Sequence, residues 1–497
     1  MTQKTNRKTQ IVMTPTLCCL MSGVLWTAPA TATDPRPIVA VHDTSADPFI
    51  IPRKGKVCGD PFPACWDGVW HLYTLNADLT RVHHLTSTDL VHWAEHEPAI
   101  VGKGIATGTV IRYENTFYLF YTDAPKQQIR LVTSDNPWHF DISESKLVAK
   151  ADNNIYQLSK RKFRDCYVFH NEREDLWWML VEATSDNAVA VGLFKSKDLV
   201  TWTQHDPIFK DKSRKHGSCP QVFERDGRWH LTLLDYPTWH YTAESLYGPW
   251  ELRGHYHTKR LTAASRWATD GQRHLGWGFF TVHPTPERKK RWGGYGGALG
   301  VGREMVSGTN GTIGVRPLPE LIAAIRQPQN NTGIFSRAKE LSGKWELDAA
   351  QRVFRCSDEG GGVLLLDLPE KNPNYYFEAE IELTRPQASA AVVVRSSKEF
   401  DQGYRVVIEP AEKKIAIRSF APEGGVFDER EHAFSGATAL VQVFVCDGQI
   451  EAFVDGRSSL SAAGLLRSEG LLAIEITRGL ATIHKPLLHY FNHRQDR

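Results

Sequence analysis

The sequence predicts an all-β protein, a five-bladed β-propeller followed by a C-terminal β-sandwich. Up to about residue 325, short runs rich in Val, Tyr, Trp, Phe and Leu alternate with Asp, Gly and Asn turns, and helical periodicity is nearly absent outside residues 318–325. A strand–turn–strand unit recurs five times, with starts roughly 45–60 residues apart, which is the spacing of propeller blades. Beyond residue 336, alternating polar and apolar residues with Asp-Gly turns favour antiparallel sheets packed as a sandwich.

The first 32 residues are typical of an export signal. Residues 1–10 carry three cations, residues 11–26 are modestly apolar, and Ala30-Thr31-Ala32 has the small residues of a cleavage site. No later stretch of the sequence is long and apolar enough to span a bilayer. We therefore expect a signal peptide of residues 1–32 and a mature protein that is secreted or periplasmic.

Five hairpin units define the predicted propeller, residues 33–325. Each unit is followed by a segment that ends in Trp or Phe, most clearly in "STDLVHW" (87–93) and "SKDLVTW" (196–202). A unit and its following segment supply enough chain for a four-stranded blade, and a closed ring of blades leaves only short sheet edges. Residues 326–336 are interpreted as a linker, and residues 337–497 as the sandwich. The hairpin units span residues 60–75, 108–122, 164–183, 219–235 and 261–279.

Composition argues against several kinds of partner and cofactor. With 59 Lys and Arg against 57 Asp and Glu, the formal net charge of +2 does not indicate binding to nucleic acid or to an anionic membrane. The spacing of the six cysteines that follow the signal does not fit a zinc site. An exported protein can oxidise its cysteines, so Cys58 and Cys65 are candidates for a disulfide, while buried free thiols are equally consistent with the rest. No metal and no cofactor is predicted.

The innermost strands of a propeller converge on one axial channel, so residues at the heads of equivalent strands meet there. Two carboxylates with a supporting arginine are the equipment for glycoside hydrolysis through an oxocarbenium-like transition state. Turn caps and surface ion pairs explain the same residues equally well when the residues are considered alone. The predicted strand heads are Asp60, Thr107-Gly108, Arg164-Asp165, Ser218-Cys219 and Ala263-Ala264.

Several segments, in order along the chain, resemble the motifs of one enzyme family. "GDPFPACWDGVWHLYTL" (59–75) is similar to a motif of the Asn-Asp-Pro-Asn-Gly type, and "ATGTV" (106–110) falls where the family has Phe-Ser-Gly-Ser. "FRDCYVF" (163–169) is similar to the Arg-Asp-Pro motif, "SCPQVF" (218–223) to the Glu-Cys-Pro motif, and "YGGALGVGREM" (295–305) to the closing segment. On these motifs the chain resembles glycoside hydrolase family 32, the invertase, levanase and inulinase family, over nearly its whole mature length.

This resemblance implies an enzyme that hydrolyses terminal fructofuranosyl or related furanosyl linkages of an oligo- or polysaccharide with retention. By its place in the motifs, Asp60 is the expected nucleophile. Asp165 is the expected transition-state stabiliser that holds ring hydroxyls, and Arg164 is expected to fix Asp165 and a substrate hydroxyl. Further residues expected to contact the sugar are Thr107, Trp70, Trp292 and Tyr295.

The main departure from the family is at position 218, where Ser218 replaces the acid/base glutamate. A retaining mechanism needs an acid that protonates the leaving oxygen and later activates water, and a serine near its ordinary pKa does neither. In a four-stranded blade the second strand returns to the end where the first began, so its last residues can reach the rim of the channel. Candidate replacements for the missing acid are Glu182, Asp235, Asp123 and His216.

Two alternative functions stay open from the sequence. The loss of the acid/base residue is consistent with a glycan-binding propeller that does not catalyse hydrolysis. Gly59 and Cys166 replace the family's Asn and Pro where fructose would be held, which is consistent with a hydrolase of another furanoside or of an anhydrosugar.

Overall fold

The structure, a computed structural model, describes residues 37–491 with several interruptions. The expected signal peptide therefore lies outside the described residues. None of the helices in the described part of the chain combines the length and the apolar character that crossing a membrane requires. Within the range 37–491, the residues that are not described are 53–56, 159–161, 236, 258–260, 263–265, 281–295, 309–310, 328–332, 368–372 and 421–423.

The predicted five-bladed propeller is confirmed. Blade one contains β1 (Ala40–Asp43), β2 (Cys58–Trp66), β3 (Val69–Asn76), β4 (Arg81–Ser87), β5 (His92–Glu95) and β6 (Ile100–Val101). Their spatial order is β1-β5-β4-β3-β2, and β6 pairs with β4. Blade two contains β7 (Ile105–Tyr113), β8 (Thr116–Asp123), β9 (Gln128–Ser134) and β10 (Lys146–Lys150). Blade three contains β11 (Arg164–Asn171), β12 (Leu176–Ser185), β13 (Ala188–Ser196) and β14 (Thr203–Asp211). Blade four contains β15 (Ser218–Arg225), β16 (Arg228–Leu234), β17 (Thr238–Ala243) and β18 (Glu251–His257).

Blade five closes the ring. It contains, in spatial order, β20 (Trp267–Thr269), β21 (His274–Gly276), β23 (Arg303–Ser307) and β24 (Ile313–Pro317). A separate two-stranded pair is formed by β19 (Leu261–Thr262) and β22 (Phe279–Phe280). The first strands of neighbouring blades, β2, β7, β11 and β15, contact one another in turn, and β20 contacts β2. The heads of these strands therefore surround the mouth of the axial channel.

The predicted β-sandwich is confirmed as two seven-stranded sheets that follow two short helices. The helices are α1 (Pro319–Ile325), within the range predicted from the sequence, and α2 (Ile334–Arg337). One sheet has, in spatial order, β25 (Lys339–Ser342), β28 (Gly361–Asp367), β37 (Leu471–Thr477), β30 (Ser389–Ser396), β31 (Tyr404–Glu409), β32 (Lys414–Ser419) and β33 (Val426–Glu431). The other has β26 (Trp345–Asp348), β27 (Val353–Cys356), β38 (Ala481–Tyr490), β29 (Tyr375–Leu383), β34 (Thr438–Cys446), β35 (Gln449–Val454) and β36 (Ser458–Ala463).

The repeated segments 87–93 and 196–202 form the same hydrogen-bonded turn between the third and fourth strands of a blade. In the first, the Ser87 hydroxyl oxygen accepts a bond from the Leu90 N–H at 2.8 Å. The Asp89 carboxylate accepts bonds from the N–H groups of the two residues after Leu90, at 2.9 and 2.8 Å. The second turn repeats all three bonds, and the central leucine is left-handed in both, with φ of 65° and 66°. The sequence repeat is thus a turn repeat.

A β-bulge interrupts the pairing at the head of the first strand in each of the first four blades. In blade one the register with the second strand shifts between Gly59 and Phe62, and the other three blades shift at equivalent places. In three blades the bulged residue has positive φ: 41° at Asp60, 59° at Asp165 and 51° at Cys219. This conformation costs roughly 1–3 kcal/mol for a residue with a side chain, and Asp tolerates it better than most. The bulges fix where these residues sit at the channel mouth.

The disulfide considered between Cys58 and Cys65 is not formed. Both residues lie on the extended strand β2, so their Cα atoms are roughly 23 Å apart, whereas a disulfide joins Cα atoms that are at most about 7 Å apart. The Sγ atom of Cys58 instead lies 3.3 Å from the carbonyl oxygen of Gly297. All six cysteines in the described part of the chain are free thiols.

A fully buried ion pair joins the propeller to the sandwich. Arg303, on β23, donates from Nη2 to Oε1 of Glu451, on β35, at 2.5 Å, and neither side chain is exposed. The second oxygen of Glu451 accepts a bond from the Val301 N–H at 2.9 Å. Because both charges have lost their water, each depends on the other.

Removing one partner of this pair is expected to destabilise the protein strongly. Glu451→Gln leaves the Arg303 charge buried without a counter-charge, which typically costs about 3–5 kcal/mol. Chemical denaturation measures the loss. The matched control is Glu475→Gln, which breaks a half-exposed pair with Arg405 at 2.5 Å and is expected to cost no more than about 1 kcal/mol. Equal losses in the two variants would contradict the role of the buried pair.

Candidate active site

The channel mouth brings together polar residues from neighbouring blades. The Thr107 hydroxyl, from the bulge of blade two, donates a hydrogen bond to the Asp60 carboxylate of blade one. The N–H of Asp165, in blade three, donates to the Thr122 hydroxyl oxygen of blade two at 2.9 Å. The N–H of Cys219, in blade four, lies 3.3 Å from Oδ2 of Asp165. Four blades are therefore linked in sequence around one small site.

Asp165 is buried and holds its proton more tightly than an ordinary aspartate. Burial raises its pKa, and the neighbouring charge of Arg164, whose Nε lies 3.6 Å from Oδ2, opposes the rise. The negative charges of Glu182 and Asp60 add to the rise, which brings the pKa to about 6. The charges of Asp60 and Asp165 thus interact, as expected for two carboxylates that face one channel.

Glu182 lies beside Ser218, at the position where the sequence lacks its expected acid. It pairs in register with Arg164, whose Nε donates to Oε2 of Glu182 at 2.7 Å. The Ser218 hydroxyl donates to the same oxygen at 2.8 Å, and the Gly217 N–H donates to Oε1 at 3.2 Å. Burial raises the pKa of Glu182, but these donors and the charge of Arg164 outweigh it and lower the pKa overall. Glu182 is a buried, ionised carboxylate at neutral pH.

His216 is the more exposed of the candidate replacements around Ser218. Its Nδ1 lies 3.9 Å from Oε1 of Glu182, and 37% of its side chain is exposed. The Asp235 carboxylate accepts hydrogen bonds from the N–H groups of His216 and Lys215 at 2.9 and 3.3 Å. Asp235 therefore holds the loop that carries His216, and its expected role as an acid is not supported.

Two further predicted site residues belong to the framework of their blades. Asp123 accepts a hydrogen bond from the Gln128 side chain at 3.0 Å, across the turn between β8 and β9, and no described contact joins it to Asp60 or Ser218. Trp70 is only 4% exposed and packs edge-on against Trp277, so it has no ring face for a sugar and its expected substrate contact is wrong. The predicted contacts Trp292 and Tyr295, and the fifth strand head Ala263-Ala264, lie outside the described residues.

Arg266 is a residue of the site that the sequence reasoning missed. It is 2% exposed and reaches from blade five to Thr109 at 3.2 Å and to the carbonyl oxygen of Asp165 at 2.9 Å. Its charge lowers the pKa of Asp165. The sequence feature that could have identified it is an arginine directly before Trp267, at the start of a predicted innermost strand. A charged side chain at this place is not expected to pack into an apolar core.

Comparisons with known proteins identify a family and a shared fold. Residues 59–290 match the family model described as the glycosyl hydrolases family 32 N-terminal domain. This match places the propeller part of the chain in glycoside hydrolase family 32. The chain is similar to two solved structures, a family 32 β-fructofuranosidase of Bombyx mori (15% identity, TM-score 0.63, 91% of this chain and 95% of that one) and a fructan 1-exohydrolase of Cichorium intybus (14%, 0.61, 91% and 100%). At these identities the structures show a shared fold.

Curated relatives match about a third of the chain. An invertase of Debaryomyces hansenii is 28% identical over 198 residues, which are 34% of this chain and 36% of the relative. A levanase of Bacillus subtilis is 29% identical over 169 residues, 31% of this chain and 24% of the relative. The matched part thus spans about a third or less of the length of these relatives.

We expect Arg266 to act as a positioning residue that holds down the pKa of Asp165. Arg266→Gln removes a nearby positive charge, so the pKa of Asp165 should rise further above about 6, and the pH window in which Asp165 is ionised should narrow from its acid side. Carbon-13 NMR titration of labelled aspartate carboxyls measures the shift directly. In the control Arg112→Gln, which removes an exposed partner of Asp67, the Asp165 titration should not move. A titration that is unchanged in Arg266→Gln would refute the role.

Proposed function

We propose that this family 32 protein is an exported glycoside hydrolase that cleaves terminal fructofuranosyl, or related furanosyl, linkages of an oligo- or polysaccharide with retention. The observation that carries the proposal is the meeting of Asp60 with Asp165 and Arg164 at one channel mouth, in the order that the motifs assign. The names of the relatives, invertase and levanase, support a fructosyl substrate.

In the first step Asp60 attacks the anomeric carbon of the sugar. An ester bond forms between Asp60 and the sugar, the bond from that carbon to the leaving oxygen breaks, and the leaving oxygen takes up a proton. The Thr107 hydroxyl donates to Oδ2 of Asp60 and so helps to orient this carboxylate at the channel mouth. In the second step water loses a proton, attacks the same carbon and releases Asp60.

Asp165 and Arg164 support the sugar during these steps. Above a pH of about 6, Asp165 is ionised and accepts hydrogen bonds from ring hydroxyls. Its negative charge also favours the positive charge that develops on the sugar in the transition state. Arg164 fixes the orientation of Asp165 and is partly exposed, so it has donors left for a substrate hydroxyl.

The proton transfers are assigned to Glu182 acting beside Ser218. An ionised carboxylate is suited to remove a proton from water in the second step. Because its pKa is lowered, only a small fraction of Glu182 is protonated at neutral pH and able to supply the proton that the leaving oxygen needs in the first step. Substrates whose leaving group departs without much protonation, such as aryl furanosides, are therefore expected to react faster than sucrose or fructans.

The nucleophile is tested by Asp60→Asn in a screen of sucrose, levan, inulin and aryl furanosides. The wild type should hydrolyse at least one of them, and the variant should lose the activity because an amide oxygen does not form the ester intermediate. Wild type and variant with equal activity would reject the assignment. Thermal unfolding of both proteins controls for a loss of fold.

The acid/base position is tested by Ser218→Glu. A glutamate at this position restores a proton donor at the channel mouth, so hydrolysis of poor leaving groups should rise by up to about 10²–10⁴-fold, with a smaller gain on aryl furanosides. The control Ser218→Gln has the same size and no acid, and it should show no gain. A gain that is equal on both substrate classes, or present in Ser218→Gln, would contradict the reasoning.

A second candidate function is a glycan-binding propeller without hydrolysis. The buried, ionised state of Glu182 and the presence of Ser218 favour it, because neither group readily donates a proton. Calorimetry that detects saccharide binding, with intact saccharide recovered after long incubation, would support this candidate. Gly59 and Cys166 favour a variant of the first proposal, in which the substrate is another furanoside or an anhydrosugar. The same substrate screen tests this variant when these compounds are included.

A further inference from the structure

A cleft of about 740 Å³ lies between the propeller and the sandwich. Its propeller wall is formed by β18 and β24, the outermost strands of blades four and five. Its sandwich wall is formed by the ends of β32, β33 and β36 and the turns beside them. The candidate active site is built on the innermost strands of the blades, so the cleft is a separate feature of the molecule.

The walls of the cleft carry five Arg and Lys side chains against two carboxylates. Arg253 is neutralised by Glu251 at 2.5 Å, outside the lining. Lys414 is neutralised by Glu429 at 3.3 Å. The remaining cations, for which the described part of the chain provides no carboxylate ion pair, are Lys413, Arg430 and Arg457. Three positive charges from different segments of the sandwich thus line one cavity without a carboxylate ion pair among the described residues, although the charge of Asp428 acts on Arg430 from outside the lining.

Arg430 is the most constrained of these cations. Its Nη1 donates to the carbonyl oxygen of Tyr256, across the cleft on β18, at 2.7 Å. Its Nε and Nη2 are buried and have no hydrogen-bond partner. Buried donors of a charged group that lack an acceptor are costly, and a guanidinium fork is matched in shape by a carboxylate or a phosphate. The charge of an anion in the cleft lowers the electrostatic part of this cost at Arg430.

The other groups of the cleft favour a compact anion over a neutral sugar. Burial and the charge of Arg430 lower the pKa of His255 to about 4, so this ring is neutral at physiological pH and adds hydrogen-bonding capacity rather than charge. Apart from histidines, the lining contains one aromatic side chain, that of Tyr256. It is 3% exposed and presents no face on which a sugar could stack. Glu431 is exposed at the rim and opposes an anion.

We propose that this cleft binds a tetrahedral oxyanion, phosphate or sulfate, either free or carried as an ester on a small sugar. Lys413, Arg430 and Arg457 hold it from the sandwich side, and it lies against β18 of the propeller. Because the anion contacts both domains, its binding stabilises the folded protein and the junction between propeller and sandwich. This site is independent of the hydrolysis proposed for the channel.

The test measures ligand-induced stabilisation and binding of the full mature chain. Thermal unfolding at neutral pH is followed in sodium phosphate, sodium sulfate and sodium chloride at equal ionic strength, and binding is measured by calorimetry. Phosphate and sulfate should raise the unfolding temperature in a saturable way that chloride does not reproduce. A stronger response to a hexose phosphate than to inorganic phosphate identifies an ester ligand, and equal responses identify the free anion. No stabilisation beyond that of chloride overturns the proposal.

Four variants locate the site. Arg457→Gln changes an exposed residue and should weaken phosphate binding about tenfold, as should Arg430→Gln. Glu431→Gln removes a repelling charge and should strengthen binding, a gain that a folding defect does not produce. Arg355→Gln, which removes a cation on β27, a strand that does not line the cleft, should leave binding unchanged.

Two outcomes would place the anion elsewhere. If Arg457→Gln binds phosphate as well as the wild type does, the anion binds elsewhere, for example at Arg164 in the channel, and the proposal is overturned. The proposal is also overturned if phosphate has no effect while neutral fructans stabilise the wild type and Arg457→Gln to the same extent. Failure here leaves the Asp60→Asn result unaffected, so the two proposals fail separately.

Discussion

One guanidinium group, that of Arg164, is shared by two buried carboxylates, and the charge state of the channel mouth depends on this sharing. Its Nε lies 2.7 Å from Glu182 and 3.6 Å from Asp165. At Glu182, the charge of Arg164 and the hydrogen bonds that Glu182 accepts outweigh the effect of burial, so Glu182 stays ionised. At Asp165, burial and the negative charges of Glu182 and Asp60 outweigh the charge of Arg164, so its pKa rises to about 6. Two carboxylates that share one cation thereby acquire different proton affinities from their surroundings.

Much of the fold was predictable because it repeats. The turns at Ser87 and Ser196 have the same hydrogen bonds because the same residue types recur at the same spacing, and that recurrence located the blades. The heads of the strands followed from the topology, which is how Asp60, Arg164 and Asp165 were placed together. What repetition does not encode is which side chain faces the core. Trp70 follows its blade pattern and is buried by Trp277 from another blade, a contact that no local pattern announces.

Contacts between distant segments explain the remaining differences. Arg266 reaches Asp165 across 101 positions of sequence, and its role is visible only when blade five closes the ring. Cys58 and Cys65 look like the ends of a loop in sequence, but the intervening prolines lie in an extended strand that holds the two thiols apart. The nearness of Glu182 to Ser218 was within reach of sequence reasoning, since the second strand of a blade returns to the head of the first. Its low proton affinity was not, because it depends on donors from Gly217 and Ser218 of the next blade.

The bulges at the strand heads also bear on how such a site changes over evolutionary time. Asp60 and Asp165 occupy left-handed backbone, which few side chains tolerate, so drift at these positions is narrow. Ser218 sits one residue before the left-handed Cys219 and is not itself left-handed, so its backbone does not restrict the choice of residue in the same way. A lineage built on this scaffold can therefore lose or regain its proton donor by one substitution while keeping its nucleophile and its sugar-holding carboxylate. Enzymes and binding proteins on this propeller are then separated by a single codon rather than by a new fold.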